Sequence, residues 1–357
     1  MKTKSIKSQD GKIEIKYDDV THVCIVGVIY PLLQYLLLQD LETTSRHTVY
    51  VFSEGVPSMI RPKLPSIFIQ REYPQNIKYK IFRKIIRLRT ALFRNYKKSY
   101  LRHACFFAQD GIFSSTLVGT HKYELLADAP NYFSVHANAG SSFVKNCSKK
   151  ANSLWGKIET LIYGSPVVRT FGTNPQCTKV HLTEINHSPL LEGKNVSVNS
   201  FKTLWDSSSD EKKNFILKLF EVKREDVLLF EEFPIIFFSQ PLVYDKIFNE
   251  NEYISLLTKI FSQYDLSKIL VKIHPRDTFD YKKYFPEVTV FSKPVNMQLL
   301  SLLNLPIKKA VTIFSTAVFD LPENIEVDWF GADIHPKIKK FVGNNCVPPR
   351  PYNQMSL

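Results

Sequence analysis

Four short runs in this chain of 357 residues put groups suited to proton transfer and anion binding close together. Lys272-Ile273-His274-Pro275 sets an imidazole between two cations, Lys272 and Arg276. Histidine exchanges a proton near neutral pH, and the flanking charges suit an anionic ligand such as a phosphate. Gln109-Asp110-Gly111 supplies a carboxylate able to take a proton from an attacking hydroxyl. Ser315-Thr316 offers two hydroxyls ahead of a helix expected from about Ala317, and a helix start with free N–H groups is a ready anion site. Ser239-Gln240-Pro241 repeats the proline-terminated pattern. Each run also has a plainer reading: an Asp-Gly turn, a helix cap, or a strand-ending His-Pro with surface cations.

These residues are useful only if the chain holds them at one kind of edge. Residues 269–271 are apolar and read as a buried strand. Pro275 lacks an N–H, so the ladder cannot continue past His274. The imidazole therefore falls at the carboxyl end of a strand, where open α/β sheets bind ligands. The same logic applies to strands expected at 103–108, 234–239 and 309–314, which run into Asp110, Gln240 and Ser315. Further strands are expected at 22–29, 47–52, 66–70, 131–136, 288–291 and 325–329. Helices are expected at 32–41, 152–163, 213–222, 252–263, 296–303 and 336–342. Strand, tight turn and helix in alternation imply a Rossmann-like α/β class. The glycines of a dinucleotide fingerprint are missing, so no nicotinamide or flavin is expected. The acidic, cap-rich stretch 205–211 marks a boundary between domains at 20–205 and 206–357.

The chain carries 47 Lys and Arg against 34 Asp and Glu, a net charge of +13, which favours anionic partners. Ten of those cations lie within residues 78–102, a segment without an acid. Its aromatic and aliphatic residues fall at helical spacing, so it is expected to form a helix that lies on anionic lipid or gathers an acidic acceptor. Five scattered cysteines without C-x-x-C spacing read as free thiols in a reducing cytoplasm, and no zinc site is expected. The polar, charged first residues do not read as a signal peptide, and no run of about 18 apolar residues suggests a membrane span.

In this order the motifs resemble the bacterial sialyltransferases of the GT-B class. Those have an acidic-acidic-Gly motif in the N-terminal domain, then Lys-x-His-Pro and Ser-Ser or Ser-Thr in the C-terminal domain. Ser239-Gln240-Pro241 looks like the strand-end motif of glycosyltransferase family 52, the lipooligosaccharide sialyltransferases, and of the capsular polysialyltransferases. The resemblance implies two Rossmann-like domains facing across a cleft, the first on the acceptor side and the second binding the CMP nucleotide sugar. It implies CMP-sialic acid as donor, Asp110 as base and His274 as acid. Donor binding would fall to Lys272, Pro275, Gln240, Ser315 and Thr316. Gln298 stands where relatives place a carboxylate against the ribose, and Gln109 stands at the first acidic position. In some relatives the base follows the Gln-Pro turn, which makes Asp245 the alternative here. No Asp-x-Asp metal motif is evident, so no metal is expected.

The expected activity is inverting transfer of sialic acid to a lipooligosaccharide or capsular glycan, in the bacterial cytoplasm and peripheral at the inner membrane. Alternatives are a transferase using CMP-3-deoxy-octulosonic acid, a CDP-polyol polymerase, a catalytically dead assembly component, or a basic nucleic-acid-binding protein. Nucleic acid is not an expected partner, because no motif for it is visible. The sequence does not specify the oligomeric state.

Overall fold

A computed structural model describes residues 5–69, 103–129, 142–165, 167–274, 276–293, 295–322, 324–342 and 352–357. The chain divides into two compact units, Met1–Phe220 and Glu221–Leu357. The basic segment 78–102 and the strand expected at 131–136 lie outside the described residues.

The first unit opens with a small antiparallel pair, β1 (Ser5–Lys7) and β2 (Glu14–Lys16). Its main sheet has seven parallel strands. They are β3 (His22–Val28), β4 (Thr48–Gly55), β5 (Ser66–Phe68), β6 (Cys105–Gln109), β7 (Tyr123–Leu126), β8 (Cys177–Leu182) and β9 (Val196–Val198). Their order is β5-β4-β3-β6-β7-β8-β9, the doubly wound arrangement in which the sheet grows outward from its first strand in both directions. The direction of winding reverses between β3 and β6, and Val23, Ile25, Phe106 and Ala108 anchor the core there. Helix α1 (Ile29–Leu38) begins before Tyr30-Pro31 rather than after it. Pro31 is tolerated because the first four N–H groups of a helix have no intrahelical acceptor to lose.

The sequence pattern missed β7, β8 and β9. Each is short, and β8 lies within a stretch rich in turn-forming types, its burial following no period-two alternation that would mark a strand. Helix α2 (Ile112–Val118) follows β6 directly, and α3 (Ser142–Asn152) and α4 (Leu154–Tyr163) form a helical pair. The cap-rich stretch 205–211 joins α5 (Phe201–Asp206), which was not expected, to α6 (Asp210–Leu219), the helix expected at 213–222, and Ser209 caps α6 through the Lys212 N–H. The Lys212 ammonium donates to the Leu37 carbonyl at 2.7 Å, tying α6 to α1 within the first unit.

The second unit repeats the plan with six parallel strands: β10 (Ile235–Phe238), β11 (Ile269–Lys272), β12 (Thr289–Phe291), β13 (Lys309–Thr312), β14 (Glu326–Trp329) and β15 (Asn353–Gln354). Their order is β12-β11-β10-β13-β14-β15, again doubly wound, with the reversal between β10 and β13. Apolar runs such as Ile-Ile-Phe-Phe in β10 suit strands covered on both faces. After α7 (Arg224–Glu232), Phe237, Val271 and Val311 pack with Leu257 and Phe261 of α8 (Glu250–Phe261). Helix α8 starts two residues earlier than expected because Asn249 and Glu252 form a reciprocal capping box. The edge strand β15 was not anticipated, being two residues long.

Candidate active site

Register sets the carboxyl edge of the second sheet. Phe238 on β10 lies level with Lys272 on β11 and with Thr312 on β13. The three strands therefore finish together, and the residues that follow, Ser239-Gln240, Ile273-His274 and Ile313-Phe314-Ser315, emerge at one edge beside the winding reversal.

His274 is held from behind. Its backbone N–H donates to the Ser239 hydroxyl at 2.9 Å, and that hydroxyl donates to the Asp277 carboxylate at 2.6 Å. Tyr281 adds a second donor to the same carboxylate at 2.9 Å, and its own hydroxyl pairs with that of Tyr253. The Asp277 N–H closes the turn onto the His274 carbonyl at 2.8 Å. Burial raises the Asp277 pKa against these hydrogen bonds, which act to lower it. The imidazole Nδ1 accepts from the Arg276 N–H at 3.1 Å, so neutral His274 carries its proton on Nε2. Burial, then the charges of Arg276 and Lys272, pull its pKa down to about 4. Arg276 itself pairs with Asp245, the alternative base, at 2.6 Å.

Lys272 is buried, and burial lowers its pKa to about 8. Its ammonium donates to the carbonyls of Ile273 and Lys293 at 3.3 and 3.2 Å and sits 5.4 Å from the Phe291 ring centroid. Gln240 is also buried, and its side-chain carbonyl has no hydrogen-bond partner among the described residues. Beyond α9 (Tyr281–Tyr284), Asn296, which precedes α10 (Met297–Ser301), has both side-chain polar atoms buried and unpartnered in the same sense. Sequence reasoning passed over it; the signal was a capping-type residue whose side chain makes no cap. Gln298 is the second residue of α10 and is partly buried.

After β13 the expected helix is instead a 3₁₀ turn, Thr316–Asp320, which provides a weaker dipole than an α-helix. Ser315 is buried and caps this turn through the Ala317 N–H at 3.4 Å, while Thr316 is exposed. Pro275 lies outside the described residues. A hollow lined by Glu231, Glu232, Pro234, Lys268, Pro306 and Lys308 opens at the opposite, amino edge of the sheet, and no motif residue lines it.

Asp110 belongs to the corresponding carboxyl edge of the first unit, where β6 ends at the other winding reversal. It is buried, and its two oxygens accept the N–H groups of Thr170 and Phe171 at 3.0 and 2.7 Å. A narrow crevice, lined among others by Asp110, Gly111, Ser114, Tyr123 and Thr170, leads to it. Gln109 spans the reversal: its side-chain carbonyl accepts the Gly27 N–H at 2.7 Å. Among the described residues no three His, Cys, Asp or Glu side chains gather as metal ligands, and no helix is long and apolar enough to cross a membrane.

The family model of glycosyltransferase family 52 matches residues 77–337. A Haemophilus influenzae protein described only as uncharacterized is 36% identical over 174 residues, 49% of this chain and 56% of that protein. The match thus spans little more than half the length of this relative. Among solved structures, the 2,6-sialyltransferase of Photobacterium sp. JT-ISH-224, in a ternary complex with CMP and lactose, aligns with a TM-score of 0.61. The alignment has 10% identity and covers 94% of this chain and 78% of that one. The α/β-galactoside α-2,3-sialyltransferase of Photobacterium phosphoreum gives a TM-score of 0.52 and 11% identity, covering 94% of this chain and 98% of that one. The GT-B domain of a Photobacterium damselae sialyltransferase gives 0.55 and 11%, covering 92% and 95%. At such identities the likeness is one of fold: two Rossmann-like units of GT-B type.

Proposed function

The chain belongs to glycosyltransferase family 52, and on that premise we propose that it is an inverting sialyltransferase moving sialic acid from CMP-sialic acid to a hydroxyl of a bacterial surface glycan, lipooligosaccharide or capsule. The observation that carries this reading is the carboxyl edge of the second sheet. There a buried lysine, a neutral histidine and buried amide atoms of Gln240 and Asn296 that have no partner among the described residues share one edge. Buried polar groups are rarely left unsatisfied without cause, and a nucleotide with ring acceptors, ring donors and a phosphate supplies what these groups lack. The related fold that holds CMP and lactose supports a nucleotide donor and a glycan acceptor.

In this proposal the acceptor hydroxyl attacks the anomeric carbon and gives its proton to Asp110. The bond from that carbon to the CMP phosphate oxygen breaks, and its electron pair leaves with the phosphate. His274 donates a hydrogen bond from its Nε2–H to that phosphate and keeps the proton, and the charge growing on the phosphate as the bond breaks strengthens this bond. Lys272 adds positive charge nearby, and Ser315, Thr316, Pro275, Gln240 and Gln298 contribute to donor binding. We expect no metal requirement, so EDTA leaves the rate unchanged. The proposed location is the bacterial cytoplasm, peripheral at the inner membrane.

The test is CMP release from three candidate donors, with thermal shift by CMP as a binding readout. CMP-sialic acid is expected to turn over, with CMP raising the melting midpoint. Turnover of CMP-3-deoxy-octulosonic acid or a CDP-polyol in its place would move the chain to the alternative donor class, and absence of both effects overturns the reading.

A further inference from the structure

The carboxyl edge of the second sheet holds an acid to which the transfer chemistry gives no task. Asp277 lies three residues beyond His274. Among the described residues its carboxylate accepts from the Ser239 hydroxyl at 2.6 Å, the Tyr281 hydroxyl at 2.9 Å and the Phe279 N–H at 3.1 Å, and from no cation. Ser239 is 2% exposed and Tyr281 1%. A half-buried carboxylate without a counter-charge costs desolvation energy, so it is a poor choice merely to fasten a turn. The Asp277 N–H already closes that turn on the His274 carbonyl.

The charge sets the direction of every bond around it. An ionised carboxylate only accepts, so the single Ser239 proton is committed to Asp277. The Ser239 oxygen then has only lone pairs to offer the His274 N–H, 2.9 Å away. The Tyr281 proton is committed in the same way, which makes Tyr253 the donor in the tyrosine pair. The Tyr253 hydroxyl also lies 3.4 Å from the Gln240 carbonyl. Three hydroxyls thus run outward from one carboxylate to the turns that end β10 and β11. His274 is consequently held twice, its backbone by Ser239 and its ring by the Arg276 N–H on Nδ1.

We propose that Asp277 is a positioning residue for the transfer step, acting through the Ser239 hydroxyl to keep the His274 Nε2–H aimed at the departing phosphate. The inference deepens the proposed function and rests on its placing of His274 at that phosphate. With the Ser239 bond cut, the turn is tied at one point only, and the Arg276 N–H loses its fixed seat on Nδ1. The ring then populates both neutral tautomers, and the one protonated on Nδ1 has no hydrogen on Nε2 to offer. Displacing such a donor by about 1 Å costs up to about 10²-fold in rate.

The test places Ser239→Ala and Asp277→Asn in the full chain, each with and without His274→Ala, and follows CMP release from CMP-sialic acid. Each single variant should lower kcat by about 10–100-fold and leave the donor KM within about twofold, because neither removes a group that holds the donor. In the His274→Ala background neither should cost more than about twofold further, since residues that act through one group do not add. Equal losses with and without His274 would mean general loosening and overturn the proposal, as would native kcat in either single variant. Should Ser239→Ala melt below the assay temperature, Asp277→Asn carries the same cycle. Ring ¹⁵N NMR needs no turnover: the native imidazole should be protonated on Nε2, and both variants should show a mixture of tautomers. Identical ring signals in all three chains overturn the positioning role. A native chain inert towards every CMP donor sinks the transferase reading alone, and the ring signals then decide the role of Asp277.

Discussion

The two units share one strand order yet treat their carboxyl edges in opposite ways. In the first, the polar groups at the winding reversal are paired within the protein: Gln109 takes the Gly27 N–H, and Asp110 takes those of Thr170 and Phe171. In the second, Gln240 and Asn296 keep buried atoms with no partner among the described residues, and Lys272 donates to the carbonyl oxygens of Ile273 and Lys293. At its reversal the first edge is satisfied within the unit, whereas the second edge leaves desolvated groups unmet among the described residues, a state that bound ligand relieves. A doubly wound sheet thus provides the place for a site in both units, and the pairing of its edge groups separates a preformed scaffold from a receptor.

Substitutions at the two edges should accordingly fail in different ways. The largest effect is expected at His274: alanine should slow transfer by about 10²–10⁴-fold and leave the melting midpoint nearly unchanged. Asp110→Asn should lose transfer as well. It also turns one acceptor oxygen into a donor facing an N–H, so calorimetry should show about 1–3 kcal/mol of lost stability. An Asp110→Asn chain that melts like the native one would erase the contrast between the edges.

Next in size, Gln240→Met and Asn296→Ala should weaken CMP binding by about 5–30-fold in titration calorimetry. Gln240→Met should melt at the native temperature or slightly above it, because an unpaired buried amide gives way to an apolar chain of similar volume. Unchanged CMP affinity in both would reduce these amides to packing defects. Lys272→Met sharpens the point further, because it removes a buried cation with no carboxylate partner among the described residues. The midpoint should rise by about 2–4 °C for each kcal/mol gained while donor affinity falls.

The smallest effect is in pH. The folded protein holds His274 neutral to about pH 4, whereas its ordinary pKa is 6.5. Between those values the unfolded chain binds a proton that the folded one refuses, so stability falls as pH drops through that window. His274→Ala should flatten that part of the stability profile, and an NMR titration of the ring should have its midpoint near 4. A midpoint near 6.5 would mean that the imidazole stands in open water.

The sequence made the second unit readable because its signals are local and redundant. Ile-Leu-Val before Lys272-Ile-His-Pro and Ile-Ile-Phe-Phe before Ser-Gln-Pro are buried strands with a proline stop, and both strands formed within a residue or two of expectation. The Pro336–Val342 helix matched at both ends. In the first unit β7 to β9 were lost because their stability comes from neighbours distant in sequence, as with Tyr123 aligned to Cys177. Asn296 and Asp277 were equally opaque as functional residues. An orphaned amide or a shared carboxylate is defined by what surrounds it in space, which no spacing rule reports. Gln109 read as a departure from a two-acid motif, but its amide bridges two strands and needs no counter-ion in a buried position.

Asp277 has a wider consequence. Through Ser239 and Tyr281 it links a turn after β10 to a turn after β11, across 38 residues of chain. Neither turn can be exchanged by itself. Efforts to redirect this protein to another donor by grafting loops would have to transplant both turns with their tyrosines as a single cassette, and natural drift at one should leave a compensating change at the other.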